Sequence, residues 1–212
     1  MAMENPNVAK GSEFDQVRVF FATDRKAEGD GFSFGGERGT GLTYGSVFVS
    51  IPHDHVAGAL EKPSIWRLEF SPDPARHMTI TRRSLDDRDG FFEDLRESLA
   101  RSGSNASFVF VHGYNVAFDD AALRTAQITY DLNFLGAPVF YSWPSQATLQ
   151  GYPMDENNVQ WSEANLKGFL LDYARNSGAK AQKRCSRHRN ICVWKLGSSH
   201  PGRRRRQDLG AS

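Results

Sequence analysis

The chain has 212 residues, which fits one domain with room for a tail. Its formal net charge is only +1, so the whole chain has no electrostatic preference for nucleic acid or for a membrane surface. No apolar run approaches the roughly 20 residues that a membrane helix needs, and the polar first 15 residues contain no secretory signal. We therefore expect a cytoplasmic protein that does not contact a membrane.

The small net charge conceals a break in composition near the end of the chain. Residues 1–172 carry 15 basic and 24 acidic side chains, whereas residues 173–212 carry 11 basic side chains and one acid, Asp208. Both cysteines, Cys185 and Cys192, lie in this basic segment, and their spacing matches no zinc pattern. We therefore expect residues 1–16 to be a flexible lead-in, residues 17–178 to form the domain, and residues 179–212 to be a tail of a different kind.

Strand patterns dominate the first third of the domain. Apolar or alternating runs predict four strands, at residues 17–22, 44–51, 65–70 and 78–82. Seven glycines fall between residues 29 and 45, and they predict a long loop there.

Helices and strands then alternate. The patterns predict a helix at 86–102, a strand at 108–111, a helix at about 119–132, a strand at 137–142 and a helix at about 155–176. Elements of these lengths in this order are typical of right-handed βαβ units, so we expect an α/β fold with a parallel-rich sheet and flanking helices.

The sequence FVFVHGYN at residues 108–115 is the most informative part of the chain. It combines a buried strand with a tight His-Gly turn that leads into a helix, which places backbone N–H groups at the carboxyl edge of the sheet. Serine hydrolases of this architecture keep an oxyanion-hole donor at that edge. Gly113 and Tyr114 are the predicted oxyanion hole, with the Tyr114 amide as the best donor, and an ordinary strand-to-helix turn is the alternative.

Four further side chains are predicted to form the pocket: His112, Asn115, Trp143 and Ser145. His112 could orient a substrate, or it could hold its loop through a local hydrogen bond. Trp143 could line the pocket or cap the core.

Other candidates favour structural roles. His53 and His55 flank Asp54, but no third ligand is evident nearby, so we expect a solvated loop and no metal site. Asp24 and Arg25 are interpreted as a structural ion pair, and no cofactor is expected.

Several motifs in order resemble one family of uncharacterised alpha/beta hydrolases, named domain of unknown function 900. They are VFFATDR at 19–25, YG at 44–45, VSIP at 49–52, WRLEF at 66–70, FVFVHGYN at 108–115, RTAQ at 124–127, GAPV at 136–139 and YSWPS at 141–145. The resemblance implies the alpha/beta hydrolase sheet and acyl transfer by an activated serine. It also implies a strand and a Gly-x-Ser-x-Gly nucleophile elbow after the helix that ends near Gly178, with an acid and a histidine further on.

The chain departs from the family at that point, and we expect it to contain no Gly-x-Ser-x-Gly elbow. The nearest approach is GSSHPG at 197–202, where Pro201 replaces the second glycine after Ser199. No catalytic residue is therefore assigned. We expect the front part of a hydrolase joined to a foreign tail after about residue 179, through a truncation or a change of reading frame.

Three functions stay open on this evidence. The first is a family hydrolase, ancestrally acting on a small ester or amide and inactive as it stands. The second is a non-catalytic module that binds a ligand in the same pocket. The third is an anion-binding protein that works through its basic tail, although a tail without interleaved aromatics makes nucleic acid an unlikely partner. The oligomeric state is not predicted.

Overall fold

The computed structural model describes residues 5–29, 31–63, 71–104, 106–178, 181–185 and 192–196. Within these ranges the strands are β1 (Val8–Ala9), β2 (Phe14–Glu28), β3 (Ser33–Pro52), β4 (Ile80–Asp86), β5 (Ser107–Val111), β6 (Ala137–Ser142), β7 (Ala181–Cys185) and β8 (Cys192–Leu196). The helices are α1 (Arg88–Ser102), α2 (Phe118–Asp131) and α3 (Tyr152–Asn176), with a short 3-10 helix (Leu149–Gly151) before α3.

All the strands join one mixed sheet. Its order is β4-β3-β2-β6-β5-β8-β7, and β1 pairs with β2. The central pairs β2·β6 and β5·β6 are parallel, whereas the outer pairs are antiparallel. The predicted α/β class is therefore confirmed, with a parallel centre flanked by antiparallel strands.

The helices cover both faces of this sheet because strand residues alternate between the faces. On β2, Val19 and Phe21 pack in the cluster that contains the α2 residues, while Phe20 and Ala22 pack with α1 and α3. The molecule therefore has three layers, with α2 on one face and α1 and α3 on the other.

The alternating helices and strands from α1 to α3 fold as predicted. Helix α1 begins after Asp87, whose side chain accepts a hydrogen bond from the Gly90 amide at 2.7 Å, and it ends at Gly103 with φ of 60°. An N-terminal carboxylate cap and a left-handed glycine stop are the local signals that define such a helix.

The predicted glycine loop is wrong, because residues 33–45 belong to β3. This strand pairs with β2 along nearly its whole length, from Glu28↔Ser33 to Phe14↔Pro52, with two register shifts. Some of the glycines serve close approach of chains: a Cβ on Gly45 would lie 2.1 Å from the Ser84 carbonyl oxygen. Glycine in a strand can mark such an approach as well as a loop.

The remaining expectations concern two other segments. The strand predicted at 65–70 lies outside the described residues, and the strand predicted at 78–82 is found slightly later, as β4. After α3, β7 and β8 form a hairpin, and β8 pairs with β5 antiparallel through Ser107↔Leu196. Ser107 begins β5, so β8 ends at the edge of the sheet opposite to His112.

His55 lies in the loop after β3 and ties that loop to the end of α2. Its ring nitrogens contact carboxylates on both sides, Glu61 Oε2 and Asp131 Oδ1, each at 2.8 Å, and its side chain is only 4% exposed. Burial lowers the pKa of His55, but the hydrogen bonds to Glu61 and Asp131 outweigh burial and raise it above its ordinary value. His53 and Asp54 lie in the same loop and are exposed, but the solvated loop expected from the sequence is wrong for His55, whose buried side chain fixes the loop through an acid–histidine–acid bridge.

This bridge makes part of the stability dependent on pH. A histidine whose pKa is raised on folding stabilises fully below its unfolded pKa of about 6.5, and the stabilisation is lost as the pH rises through the folded pKa. We expect His55→Gln to lower the urea midpoint more at about pH 6 than at about pH 9. The exposed His53 offers the matched variant His53→Gln, for which the loss should be small at both pH values. An equal loss for His55→Gln at both would contradict the charged bridge.

None of the helices in the described ranges is long and apolar enough to cross a membrane.

Candidate active site

The carboxyl ends of the three parallel strands meet at one edge of the sheet. Val111 at the end of β5 pairs with Tyr141, and Ser142 at the end of β6 pairs with Thr23 on β2. The residues that follow, at 112–116 and 143–146, therefore lie beside each other and beside Arg25. This edge is where open α/β sheets bind ligands.

A cavity of about 370 Å³ opens at this edge, within the size range of small-molecule sites. Its walls come from β5 and the turn after it, from the end of β6 and from α3: Val111, His112, Gly113, Tyr114, Tyr141, Trp143, Val159, Ser162 and Leu166. Four of the residues predicted from sequence, His112, Gly113, Tyr114 and Trp143, thus line the same cavity. The roles of Gly113 and Tyr114 as oxyanion donors stay a prediction.

His112 is buried and both its ring nitrogens are engaged. Nδ1 lies 2.7 Å from the Gly113 carbonyl oxygen, and Nε2 lies 3.1 Å from Ser142 Oγ and 3.4 Å from Arg25 Nη2. A carbonyl can only accept and a guanidinium can only donate, so the proton sits on Nδ1 and Nε2 is the acceptor. The local hydrogen bonds hold the turn.

The same surroundings keep His112 neutral. Burial, followed by the charge of Arg25, lowers the pKa of His112 to about 3. Trp143 completes its environment: the indole stacks on the imidazole with centroids 5.1 Å apart, and its Nε1 donates to the His112 carbonyl oxygen at 2.9 Å. Trp143 therefore lines the cavity and also packs the core.

Arg25 is the structural centre of this edge. Its guanidinium is buried, and all five N–H groups have partners on the surrounding loops. Nε donates to Ser142 Oγ at 2.8 Å, Nη1 donates to the carbonyl oxygens of Gly35 and Ser145 at 2.8 and 3.0 Å, and Nη2 donates to the Val116 carbonyl oxygen at 2.7 Å and faces His112. One side chain therefore joins β3, the turn after β5 and the loop after β6.

The expected ion pair between Asp24 and Arg25 is not the arrangement found. Successive strand residues point to opposite faces, so the two side chains separate. Asp24 Oδ2 accepts a hydrogen bond from Asn165 Nδ2 on α3 at 3.1 Å, while Arg25 binds the loops. Burial lowers the pKa of Arg25 to about 10, with the charges of Asp24, Asp155 and Asp119 opposing it, so the guanidinium stays charged at neutral pH.

Asp155, in the first turn of α3, was not identified from the sequence and clamps the same two loops. Its Oδ2 accepts from Ser145 Oγ at 2.6 Å and from the Asn115 amide at 3.1 Å, and its Oδ1 accepts from the Gln146 amide at 2.7 Å. Ser145 Oγ in turn accepts from the Val116 amide at 3.1 Å. Asn115 and Ser145 thus lie beside the cavity rather than on its wall, and they fix the loops that form it.

The expectation that the chain contains no Gly-x-Ser-x-Gly pattern is wrong, because GFSFG occurs at residues 31–35. A nucleophile elbow joins a strand to a helix, whereas Ser33 opens β3 just after the hairpin turn and is exposed, paired with Glu28. This match is therefore one of pattern alone. Ser199 and the arginines at 203–206 lie outside the described residues.

Two other features of the described chain do not add to this site. No group of three or more possible metal-ligating side chains is found within the described ranges. A larger cavity of about 730 Å³ lies between the β2–β3 hairpin and the start of α3, lined mainly by residues 36–43. Its exposed charges Lys26 and Glu37 pair with each other at 2.7 Å.

The mixed sheet with a parallel centre, helices on both faces and a cavity behind a strand–His-Gly–helix turn defines an alpha/beta hydrolase-like protein. Residues 87–183 match the model of the family described as alpha/beta hydrolase of unknown function (DUF900). The comparisons with curated proteins and with solved structures found no match.

Proposed function

We propose that this chain carries the carbonyl-binding half of an alpha/beta hydrolase site and holds a small ester or amide without turning it over. The observation that supports this most strongly is the cavity at the carboxyl edge, walled by the turn at residues 112–114. Amides at such a turn are suited to a polarised carbonyl oxygen. The ancestral reaction would be serine-dependent hydrolysis of the ester or amide.

The absence of turnover is proposed from the side chains around the cavity. A general base must accept a proton from the nucleophile, but the acceptor nitrogen of His112 already faces Ser142 and Arg25, and its pKa of about 3 makes it a poor base. Ser142 is itself held by Arg25 Nε. β8, the strand beside β5, ends at the opposite edge of the sheet and so carries no elbow towards the cavity.

The proposal predicts binding without chemistry. We expect short nitrophenyl esters to hydrolyse at the background rate and a fluorophosphonate probe to leave the protein unlabelled. Butyramide should raise the thermal midpoint in a concentration-dependent manner. Labelling that disappears in Ser199→Ala, Ser33→Ala or Ser162→Ala would identify a working nucleophile and overturn the proposal.

A pair of glycine variants locates the bound amide. A Cβ at Gly113, on the cavity wall, or at Gly41, on β3, would meet no heavy atom within 4 Å, so a Cβ fits at both positions without a clash. Gly113→Val should abolish the stabilisation by butyramide, and Gly41→Val should keep it. Gly41 lines the larger cavity, so the reverse result would place the ligand there and contradict the proposal.

A further inference from the structure

Three buried oxygen atoms lie together behind the proposed carbonyl site without a hydrogen bond of normal geometry among the described residues. They are Asp24 Oδ1, Tyr141 Oη and Ser162 Oγ. Asp24 and Tyr141 are fully buried and Ser162 is 2% exposed. A buried polar atom without a well-formed hydrogen bond is unfavourable, so three at one place indicate a site for a further polar partner.

Two of the three residues line the cavity, although their oxygen atoms are buried. Tyr141, on β6, and Ser162, on α3, both line the cavity of about 370 Å³. Asp24 lies behind them, held through its other oxygen by Asn165. Burial raises the pKa of Asp24, while the neighbouring Ser162, Asn165 and Tyr141 groups lower it in part. The Asp24 carboxyl group therefore lies near the Tyr141 and Ser162 hydroxyls, although neither hydroxyl forms a hydrogen bond of normal geometry with Asp24 Oδ1.

The chemistry of this cluster selects a cation. When it is ionised, the Asp24 carboxylate only accepts hydrogen bonds, so the two hydroxyls donate to it and keep lone pairs free as acceptors. That surface accepts donors and repels anions. An ammonium group has three N–H donors and a positive charge, so it can donate to the free lone pairs of both hydroxyls beside the carboxylate.

The rest of the cavity agrees with this choice. Tyr114 and Trp143 stand edge to face with centroids 5.5 Å apart on the same wall, and aromatic faces attract cations. His112, also on the wall, is neutral and does not oppose a positive ligand. The Arg25 guanidinium lies on the opposite face of β2 from Asp24, and its five hydrogen-bond partners compensate its charge.

We propose that the cavity binds a primary ammonium group carried on a short apolar chain, with Asp24, Tyr141 and Ser162 around the nitrogen. The site goes beyond the carbonyl proposal: where both hold, the ligand is a small amino ester or amino amide. The ammonium site stands on its own contacts and does not depend on the Tyr114 amide.

Butylammonium and 1-butanol are the probes, since they share a chain and differ in charge. We expect butylammonium to bind the wild-type protein, by isothermal titration calorimetry, at least tenfold more tightly than 1-butanol does. Asp24→Asn should remove that preference. Asp86→Asn is the matched control, because Asp86 Oδ2 is also buried without a hydrogen bond of normal geometry but is not beside the cavity residues Tyr141 and Ser162.

A second variant keeps the test decisive if Asp24→Asn folds poorly. Ser162→Ala removes one acceptor and leaves the carboxyl, so butylammonium should bind several-fold more weakly to it. Equal binding of the two probes, unchanged affinity in Asp24→Asn or Ser162→Ala, or no binding of either probe would overturn the ammonium site. Butyramide binding reports separately on the carbonyl proposal, so one can fail while the other stands.

Discussion

We expect Arg25→Met to lower the free energy of unfolding by about 3–5 kcal/mol, the usual loss when one partner of a buried charged network is removed. The substitution removes the donor from the buried carbonyl oxygen of Ser145 and from the partly buried carbonyl oxygens of Gly35 and Val116. Methionine fills much of the volume, so the loss comes from hydrogen bonds and charge rather than from a cavity. Chemical denaturation followed by circular dichroism would measure it.

Two variants separate the geometry of Arg25 from its charge. Arg25→Lys keeps the charge but offers three donors on a compact ammonium, and we expect it to recover only part of the loss. Arg101→Met removes an exposed arginine that makes one hydrogen bond to Glu97, and its midpoint should stay close to that of the wild-type protein. Midpoints for Arg25→Met and Arg101→Met that agree would refute the central role of Arg25.

The parts of the fold predicted from the sequence are those governed by local signals. Helix α1 has its carboxylate cap and its glycine stop, and β5 and β6 are short apolar runs between helices, so their patterns indicate one structure. The length of the β2–β3 hairpin was missed because glycines at 35, 36 and 39 are compatible with a loop or with a strand. Only the partner strand decides between them, and pairing is not a local property.

The candidate site was predicted in part for a similar reason. A strand, a glycine and a helix in succession predict the turn at residues 112–114, and the structure places this turn on the wall of the cavity. Arg25 and Asp24 are adjacent in sequence, which suggested a pair, but their partners are far along the chain at Ser142 and Asn165. The sequence does contain one usable signal: charged residues inside an apolar strand must be paired or hydrogen-bonded.

The segment after α3 shows how an element can be present without its expected role. The α/β pattern predicts a parallel strand after α3, beside β5, at whose carboxyl end an elbow would face the turn at residues 112–114. β8 does lie beside β5 but runs antiparallel to it. The polar, basic composition after residue 179 predicted only a change in the kind of sequence, since composition alone does not give the direction of a strand.

We expect Asp155→Asn to lower the free energy of unfolding by about 3 kcal/mol, with a cost of about 1–3 kcal/mol for each donor left unsatisfied. An asparagine oxygen can serve the Gln146 amide or the Ser145 and Asn115 donors, but its NH₂ group cannot accept the other set. The neighbouring Glu156→Gln is the control, since Glu156 is exposed in the same turn of α3 and should leave stability almost unchanged.

The double variant Arg25→Met/Asp155→Asn tests whether the two residues form one clamp. Arg25 donates to the carbonyl oxygen of Ser145, and Asp155 accepts from its hydroxyl, so each substitution releases the same loop. Because a loop can be released only once, and because the double variant removes two opposite charges together, its loss should be smaller than the sum of the single losses by about 1 kcal/mol or more. Strictly additive losses would mean that Arg25 and Asp155 stabilise the loops around the cavity independently of each other.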